Sequence, residues 1–222
     1  LRLFGNTKAQ HVTPQVGPEQ EYFLIDRKIY DLREDLKLCG RTLFGAKPPK
    51  GQELDDHYFG AFRPRVGAYM QELDEELWKL GVLSKTKHNE VAPCQHELAP
   101  IFDRCNVAVD HNLLTMELMK KLAPQHGLVC LLHEKPFEGV NGSGKHINFS
   151  LEDSEGRNLL KPSTNHRKNV IFLSFLSAFI LGAAKHFGLL QASISTPGNM
   201  YRLGGHEAPP YIISVYLGDA VA

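Results

Sequence analysis

The segment GVNGSGKHINFSLE, residues 139–152, decides the fold class of this 222-residue chain. Its first eight letters differ by one from the phosphate-binding pattern G-x-x-x-x-G-K-[ST], because His146 stands where that pattern needs a hydroxyl. From His146 onward polar and apolar residues alternate, which predicts a strand. A phosphate-binding loop needs the N-terminus of a helix directly after its glycines. We therefore reject the phosphate-loop interpretation and predict a glycine-rich turn that leads into a strand.

The predicted strand has one polar and one apolar face. Side chains alternate across a strand, so His146, Asn148 and Ser150 share a face. Glycines before them would let the main chain approach a small ligand closely. From this segment alone, the turn is either part of a ligand site or an ordinary hairpin loop.

Other segments predict a mixture of strands and helices. PEQEYFLID, residues 18–26, is typical of a strand, and strand-like pieces also occur within residues 84–100 and 126–134. Apolar periodicity predicts helices over residues 65–80, 107–122 and 167–186. Because these elements do not alternate regularly as βαβ units, the pattern favours the α+β class.

Composition and charge exclude several classes of protein. Lysines and arginines equal aspartates and glutamates at 25 each, so the chain lacks the positive field that nucleic-acid binding requires. The apolar run at residues 170–184 is shorter than the ~20 residues that cross a bilayer, and we expect a buried helix rather than a membrane segment. Nucleic acid and membrane are therefore not expected partners.

Cysteine usage and the chain ends bear on location and completeness. The four cysteines form no CxxC pair, and free thiols in a reducing cytoplasm explain their spacing. The first residues do not resemble a signal peptide. Because the chain begins without Met and stops on an apolar, strand-like stretch, we expect it to be part of a longer cytoplasmic protein.

A long loop is predicted at FGAKPPKGQELDDHYFG, residues 44–60. Loops of this length are uncommon inside compact domains and are often functional.

Two glutamates of the first predicted strand need a counter-charge. Glu19 and Glu21 share a face, and Phe23 and Ile25 make that face partly apolar. Like charges in a partly buried position favour a divalent cation between them. The alternative is a solvated strand end.

Glu90 and Glu97 form a second acidic pair, seven residues apart. On an unbroken strand they would point to opposite faces, and Pro93 argues against a helix. If both serve one site, the chain must bulge or turn near Pro93 and Cys94.

Together these residues predict a metal site whose candidate ligands are Glu19, Glu21, Glu90, Glu97 and His146. Mainly oxygen ligands without thiolates suit Mg²⁺ or Mn²⁺ better than zinc. Two such ions can clamp phosphate oxygens, so the residues point to metal-dependent phosphoryl transfer or hydrolysis.

Four motifs resemble those of the glutamine synthetases, in the family's order. They are GPEQEYFLID, HNEVAPCQHE, VNGSGKHINFS and NMYRLGGHEAP. Within the family the resemblance is strongest to the type III enzymes, through LFGAKPPKGQELDDHYFG and RLGGHEAPPYIISVYLGD. The resemblance implies a glutamine-synthetase-type catalytic domain with a curved, mainly antiparallel sheet flanked by helices. Residues 1–222 would be part of that one domain, incomplete at both ends, without the N-terminal domain and the C-terminal remainder.

The resemblance also implies roles for the candidate ligands. It assigns Glu21, Glu90 and Glu97 to one metal position. It assigns Glu19 and His146 to the second position, whose third ligand in the family is a glutamate further along the chain than this sequence extends.

Further roles follow for the substrates. Asn141 and Gly142 would contact the amino-acid substrate, and Arg202 would bind a glutamate carboxylate. Glu207 matches the glutamate that closes over the site and takes a proton from ammonium. The nucleotide end would be lined by residues of the strand after the glycine-rich turn, namely Ser150 and Asn148. Asn148 departs from the family, because many members have a second histidine there.

The function implied is ATP-dependent ligation of ammonia to L-glutamate through a γ-glutamyl phosphate. The implied cofactors are ATP and Mg²⁺ or Mn²⁺, in a homo-oligomer with active sites between subunits. Three alternatives stay open: a related ligase that joins glutamate to another amine, a non-catalytic glutamine-synthetase-like structural protein or inactive fragment, and a two-metal hydrolase.

Overall fold

The computed structural model describes residues 1–165 and 168–192 and confirms the α+β class. The strands are β1 (Val12–Asp26), β2 (Ser84–Asn89), β3 (Gln95–Pro100), β4 (Asp103–Arg104), β5 (Leu128–Leu131) and β6 (Lys145–Asp153). The helices are α1 (Arg27–Asp31), α2 (Glu34–Cys39), α3 (Pro64–Lys79), α4 (Cys105–Leu122), α5 (Val170–Lys185) and α6 (Phe187–Gln191). Short 3₁₀ turns lie at Arg2–Phe4, Glu53–Asp55 and Ala123–His126.

β1 is the central strand, and every pairing among the described strands is antiparallel. One edge of β1 pairs with β3 and β4, and the opposite edge pairs with β5 and β6. Gln20, for example, pairs with Leu98 of β3 on one edge of β1 and with Lys145 of β6 on the other. β2 extends the sheet beyond β3, so that the order across its middle is β2-β3-β1-β6.

One face of the sheet packs against α3 and α4. Four of the five residues of the predicted apolar stripe are buried in α3, namely Val66, Met70, Leu73 and Leu77, whereas the fifth, Leu80, follows the end of the helix and is exposed. The four buried residues share a cluster with Tyr22 of β1 and Met119 of α4. Pro64 occupies the first turn of α3, where a missing N–H costs nothing, and Gly81 with φ of 78° follows its end. This face supplies the main core.

The opposite face carries a smaller apolar cluster. Phe23 of β1 is fully buried there with Leu131 and Val140, and Ile25 packs against them. Phe23 and Ile25 are on the face that the sequence predicted for them. The acidic residues of β1 therefore lie beside an apolar cluster on the same face of the sheet, and the alternative of a solvated strand end is not supported.

β1 begins six residues earlier than the strand predicted from residues 18–26. It includes Pro14 and Pro18, and proline lacks the N–H that donates a ladder hydrogen bond. Both prolines lie where β1 pairs with β6 and not with β3 or β4, so one edge of β1 is unpaired at these positions. The predicted long loop is confirmed, since the 3₁₀ turn Glu53–Asp55 is the regular element described between α2 and α3.

The expectation that the apolar helix after residue 167 is buried is wrong within the described residues. Phe172 is the buried residue of α5, whereas Ile180 and Leu181 are exposed. Phe179 of α5 stacks on Phe149 of β6. Arg167, the predicted start of this helix, lies outside the described residues.

Among the described residues, none of the helices combines the length and the apolar character that crossing a membrane requires. All four cysteines are free, as expected.

Candidate functional site

Strand register gathers acidic and imidazole side chains on one face of the sheet. Glu21 of β1 lies opposite Glu97 of β3, and Glu19 of β1 lies opposite His146 of β6. On the next strand, His88 of β2 also lies opposite Glu97. Opposed residues of an antiparallel pair point to the same side, and residues two apart share a face. These side chains therefore lie together, on the face away from α3 and α4.

The first group of potential metal ligands is formed by Glu19, Glu97 and His146. One ligand atom from each lies within 4.8 Å of the other two. His146 Nδ1 is 3.4 Å from Glu19 Oε2 and 3.5 Å from Glu97 Oε1. The structure thus places Glu19 beside His146, the two residues expected at one metal position, and adds Glu97 to them.

The second group is formed by His88, Glu90 and Glu97, again with ligand atoms within 4.8 Å of one another. His88 Nε2 is 2.8 Å from Glu97 Oε2, and His88 Nδ1 is 3.3 Å from Glu90 Oε1. Glu97 belongs to both groups and therefore joins them into one site.

A tight turn brings Glu90 and Glu97 together. β2 ends at Asn89 and β3 begins at Gln95, and Cys94 between them has a φ of 65°. The N–H of Glu90 donates to the carbonyl of Gln95 at 2.9 Å, which closes the hairpin. The turn that the sequence required near Pro93 and Cys94 is confirmed.

The acidic groups of this site are offset only in part by the imidazoles of His88 and His146, whose charge lowers the pKa of Glu90 by less than burial and Glu97 raise it. Glu97 is 5% exposed, and its Oε1 accepts no hydrogen bond from the described residues. Burial, followed by the negative charge of Glu97, raises the pKa of Glu90 to about 7. A buried oxygen that accepts nothing costs free energy, which a bound cation would recover. Carboxylates with two imidazoles fit a divalent cation, and the oxygen-rich set fits Mg²⁺ or Mn²⁺.

Glu21 is buried but lies in neither of the two groups. Its Oε2 accepts a hydrogen bond from the N–H of Gly144 at 2.6 Å, and its Oε1 is 3.7 Å from His146 Nε2. Glu21 thus ties β1 to the glycine-rich turn. Its place in the same metal position as Glu90 and Glu97 stays a prediction.

The glycine-rich turn is held from two sides. Gln95, which is buried, donates through Nε2 to the carbonyl of Gly142 at 2.7 Å. On the other side, Gln52 of the long loop makes two hydrogen bonds with Asn141. β6 begins at Lys145, so no helix N-terminus follows the glycines and the rejection of a phosphate-binding loop is confirmed.

The two residues expected at the nucleotide end occupy different settings. Asn148 donates through Nδ2 to Glu19 Oε1 at 2.6 Å, so its amide orients a candidate metal ligand. Ser150 lies opposite Gln15 of β1 and is half-buried. A contact of either residue with a nucleotide stays a prediction.

Two residues of this region were missed in the sequence. His88 stands two positions before Glu90, and the alternation of side chains along β2 was the signal that could have found it. Gln52 gave no comparable signal, because its partner Asn141 is distant along the chain. Arg202 and Glu207 lie outside the described residues, so their assignments stay predictions.

Comparison with known proteins supports the same family as the motifs. The family model "Glutamine synthetase, catalytic domain" matches residues 2–214. A glutamine synthetase of Butyrivibrio fibrisolvens is 57% identical over 222 residues, covering 100% of this chain and 32% of that protein. A type-3 glutamine synthetase of Dictyostelium discoideum is 55% identical over 218 residues, covering 98% of this chain and 30% of that protein. The chain spans about a third of the length of these curated relatives.

A solved structure agrees on the fold. Plasmodium falciparum glutamine synthetase superposes with a TM-score of 0.66 over 86% of this chain and 40% of that chain, at 22% sequence identity. From the family match over nearly the whole chain, we conclude that this protein belongs to the glutamine synthetase catalytic-domain family.

Proposed function

We propose that the full-length protein ligates ammonia to L-glutamate at the expense of ATP and forms glutamine. The observation that carries this proposal is the pair of ligand groups joined by Glu97, with its buried Oε1 facing His146. Family membership supports glutamine synthesis in general, and this site supports the specific chemistry.

The proposed reaction has two steps. The side-chain carboxylate of glutamate attacks the γ-phosphorus of ATP, the bond to the β-phosphate breaks, and γ-glutamyl phosphate and ADP form. Ammonia then attacks the carbonyl carbon of the γ-glutamyl phosphate, and the bond from that carbon to the phosphate oxygen breaks, so phosphate leaves. Because a free carboxylate is a poor electrophile, the first step is what makes the second possible.

Residues of this chain would hold the reacting groups. We propose that Glu19 and His146 hold one divalent cation, that Glu90 and Glu97, with Glu21 nearby, hold a second, and that Glu97 also reaches the first. When bound, Mg²⁺ or Mn²⁺ at these positions neutralises phosphate charge during the transfer. Asn148 orients the Glu19 carboxylate through its 2.6 Å hydrogen bond.

The substrates would lie beside this face of the sheet. We propose that Asn141 and Gly142 bind the amino-acid part of glutamate and that Arg202 binds a glutamate carboxylate. Asn148 and Ser150 would face the nucleotide. Glu207 would accept a proton from ammonium, because ammonium itself has no lone pair with which to attack.

The larger protein is also part of the proposal. We propose that residues 1–222 are part of one catalytic domain, completed by further chain in the full-length protein. Active sites between the subunits of a homo-oligomer would follow the family pattern.

The test is ATP-dependent glutamine formation by the full-length protein and by two variants, Glu90→Ala and His146→Ala. Both variants should lose nearly all glutamine formation. Matched controls are Glu117→Ala and His11→Ala, which change exposed residues away from the site and should keep normal activity. Full activity of both site variants would show that the metal assignment is wrong.

The same assay separates the alternatives. Greater turnover with an alkylamine than with ammonium would favour a glutamate–amine ligase. Phosphate release that does not depend on glutamate would indicate a hydrolase. Full-length protein that folds but forms neither product would indicate a non-catalytic member of the family.

A further inference from the structure

Gln52 and Asn141 form a paired contact that none of the assigned roles uses. Asn141 N–H donates to Gln52 Oε1 at 2.5 Å, and Gln52 Nε2 donates to Asn141 Oδ1 at 3.1 Å. The two residues are 89 positions apart, and both are half-buried. One glutamine side chain thus engages the backbone and the side chain of the same asparagine.

This contact fixes the orientation of the Asn141 amide. An asparagine side chain offers one acceptor, Oδ1, and one group of donors, Nδ2. Gln52 uses Nε2 to satisfy Oδ1, so the end of Asn141 that is directed away from Gln52 is the donor end. A donor end suits a carboxylate, which only accepts hydrogen bonds when it is ionised.

The long loop that carries Gln52 is also held by contacts further along, at His57 and Gly60. His57 Nδ1 donates to the carbonyl of Glu90 at 2.6 Å, and the His57 ring packs against His96 with 5.6 Å between ring centroids. Asn89 Nδ2 donates to the carbonyl of Gly60 at 2.9 Å. The loop therefore spans from the hairpin that carries Glu90 to the turn that carries Asn141.

We propose that Gln52 is a positioning residue that holds the Asn141 amide with Nδ2 directed toward a carboxylate of the amino-acid substrate. This inference rests on the proposed function, because it takes Asn141 as a substrate contact. It extends that function by giving the predicted long loop a role in selecting an anionic amino acid.

The most direct test is Gln52→Glu in the full-length protein. A carboxylate can still accept from the Asn141 N–H but cannot donate to Oδ1, so the Asn141 amide should turn and present Oδ1 to the substrate. The KM for glutamate should rise about tenfold or more, as expected when a hydrogen-bond donor becomes an acceptor facing a charged partner. The KM for ATP and the melting temperature should stay close to normal.

Two further variants keep the test decisive. Gln52→Ala removes both hydrogen bonds without adding a charge, and it should raise the KM for glutamate less than Gln52→Glu does. Gln10→Glu adds the same charge at an exposed position and should leave the KM unchanged. If Gln52→Glu does not fold, the glutamate KM of Gln52→Ala decides, and an unchanged value overturns the inference.

Calorimetric titration with L-glutamate separates this inference from the proposed function. If the wild-type protein binds glutamate but makes no glutamine, and Gln52→Glu binds about tenfold more weakly, the proposed function fails and the inference stands. Equal affinities of wild type and both Gln52 variants would overturn the inference, whatever the activity. Absence of glutamate binding by the wild-type protein would overturn both.

Discussion

The two faces of the central sheet use the same strands for opposite purposes. Tyr22 lies on the face covered by α3 and α4, with Leu73 and Met119 in its cluster. Glu21, the residue before Tyr22 in β1, points to the opposite face, where it lies opposite Glu97 and near His146. The first face buries apolar surface, which stabilises the fold, whereas the second brings together like charges, which opposes folding until a cation is present.

The difference teaches that stability and function can be changed separately here. Substitutions on the helix-covered face should change the free energy of unfolding, and substitutions on the acidic face should change metal binding and turnover. Each prediction below tests that separation in the full-length protein.

The largest effect is expected from Glu97→Gln, since Glu97 belongs to both ligand groups. Loss of a ligand that serves both cations should lower kcat for glutamine formation about a thousandfold, which corresponds to ~4 kcal/mol. The melting temperature of the metal-free protein should not fall, because the change removes a buried charge next to Glu90. A steady-state assay and a thermal melt measure the two quantities, and a melt that fell together with kcat would contradict the separation of the faces.

On the helix-covered face, Leu73→Ala should show the opposite pattern. Leu73 is fully buried, and truncation of a buried leucine costs about 2–5 kcal/mol of stability. Below the melting temperature, the glutamate and ATP KM values should stay normal. Leu73→Met is the matched control and should cost less than ~1.5 kcal/mol. Denaturant unfolding measures the loss, and a large change in metal affinity would contradict the account.

Glu90→Gln should change stability in a direction that depends on pH and on metal. Burial and Glu97 raise the pKa of Glu90 to about 7 from an ordinary value of 4.5. Protonated Glu90 therefore contributes to the free energy of unfolding. That contribution is fully present below 4.5, the pKa of Glu90 in the unfolded chain, and is lost as pH rises through about 7. Without metal, Glu90→Gln should melt a few degrees higher than wild type at about pH 8 and should show no such gain at about pH 4.

Saturating Mg²⁺ should reverse that order at the higher pH, because a ligand that binds the folded state stabilises it and the variant binds less. Differential scanning calorimetry with and without Mg²⁺ checks both signs. The same order under both conditions would argue against Glu90 as a metal ligand.

The smallest effect is expected from Tyr22→Phe on the helix-covered face. The Tyr22 hydroxyl is buried and makes no hydrogen bond with the described residues. Its removal should therefore leave stability unchanged or raise it by up to ~1 kcal/mol. Urea unfolding measures this change, and a clear loss of stability would show that the hydroxyl has a partner.

The helix-covered face was largely predictable from sequence, because periodicity reports it directly. The apolar residues spaced three or four apart from Val66 to Leu77 predicted α3, and the alternation of polar and apolar residues from His146 predicted β6. The acidic face was predictable only in part. Residue types identified the candidate ligands, but their grouping depends on which strands pair and in which register.

Register explains what the sequence did not reveal. Glu97 lies in both ligand groups because β3 lies between β1 and β2, a fact of strand order rather than of spacing. His88 joins the site because β2 places it opposite Glu97. The contact of Gln52 with Asn141 depends on the path of an irregular loop, for which no periodic signal exists.

The most direct test of the acidic face is the binding of Mn²⁺ to the full-length protein, followed by electron paramagnetic resonance. Glu97→Gln should lower the affinity for both Mn²⁺ ions by about tenfold or more, and His146→Ala should lower the affinity for one of them. The exposed control Glu117→Gln should leave both affinities unchanged. Unchanged binding of both ions by Glu97→Gln would contradict the central claim that Glu97 joins two ligand groups into one metal site.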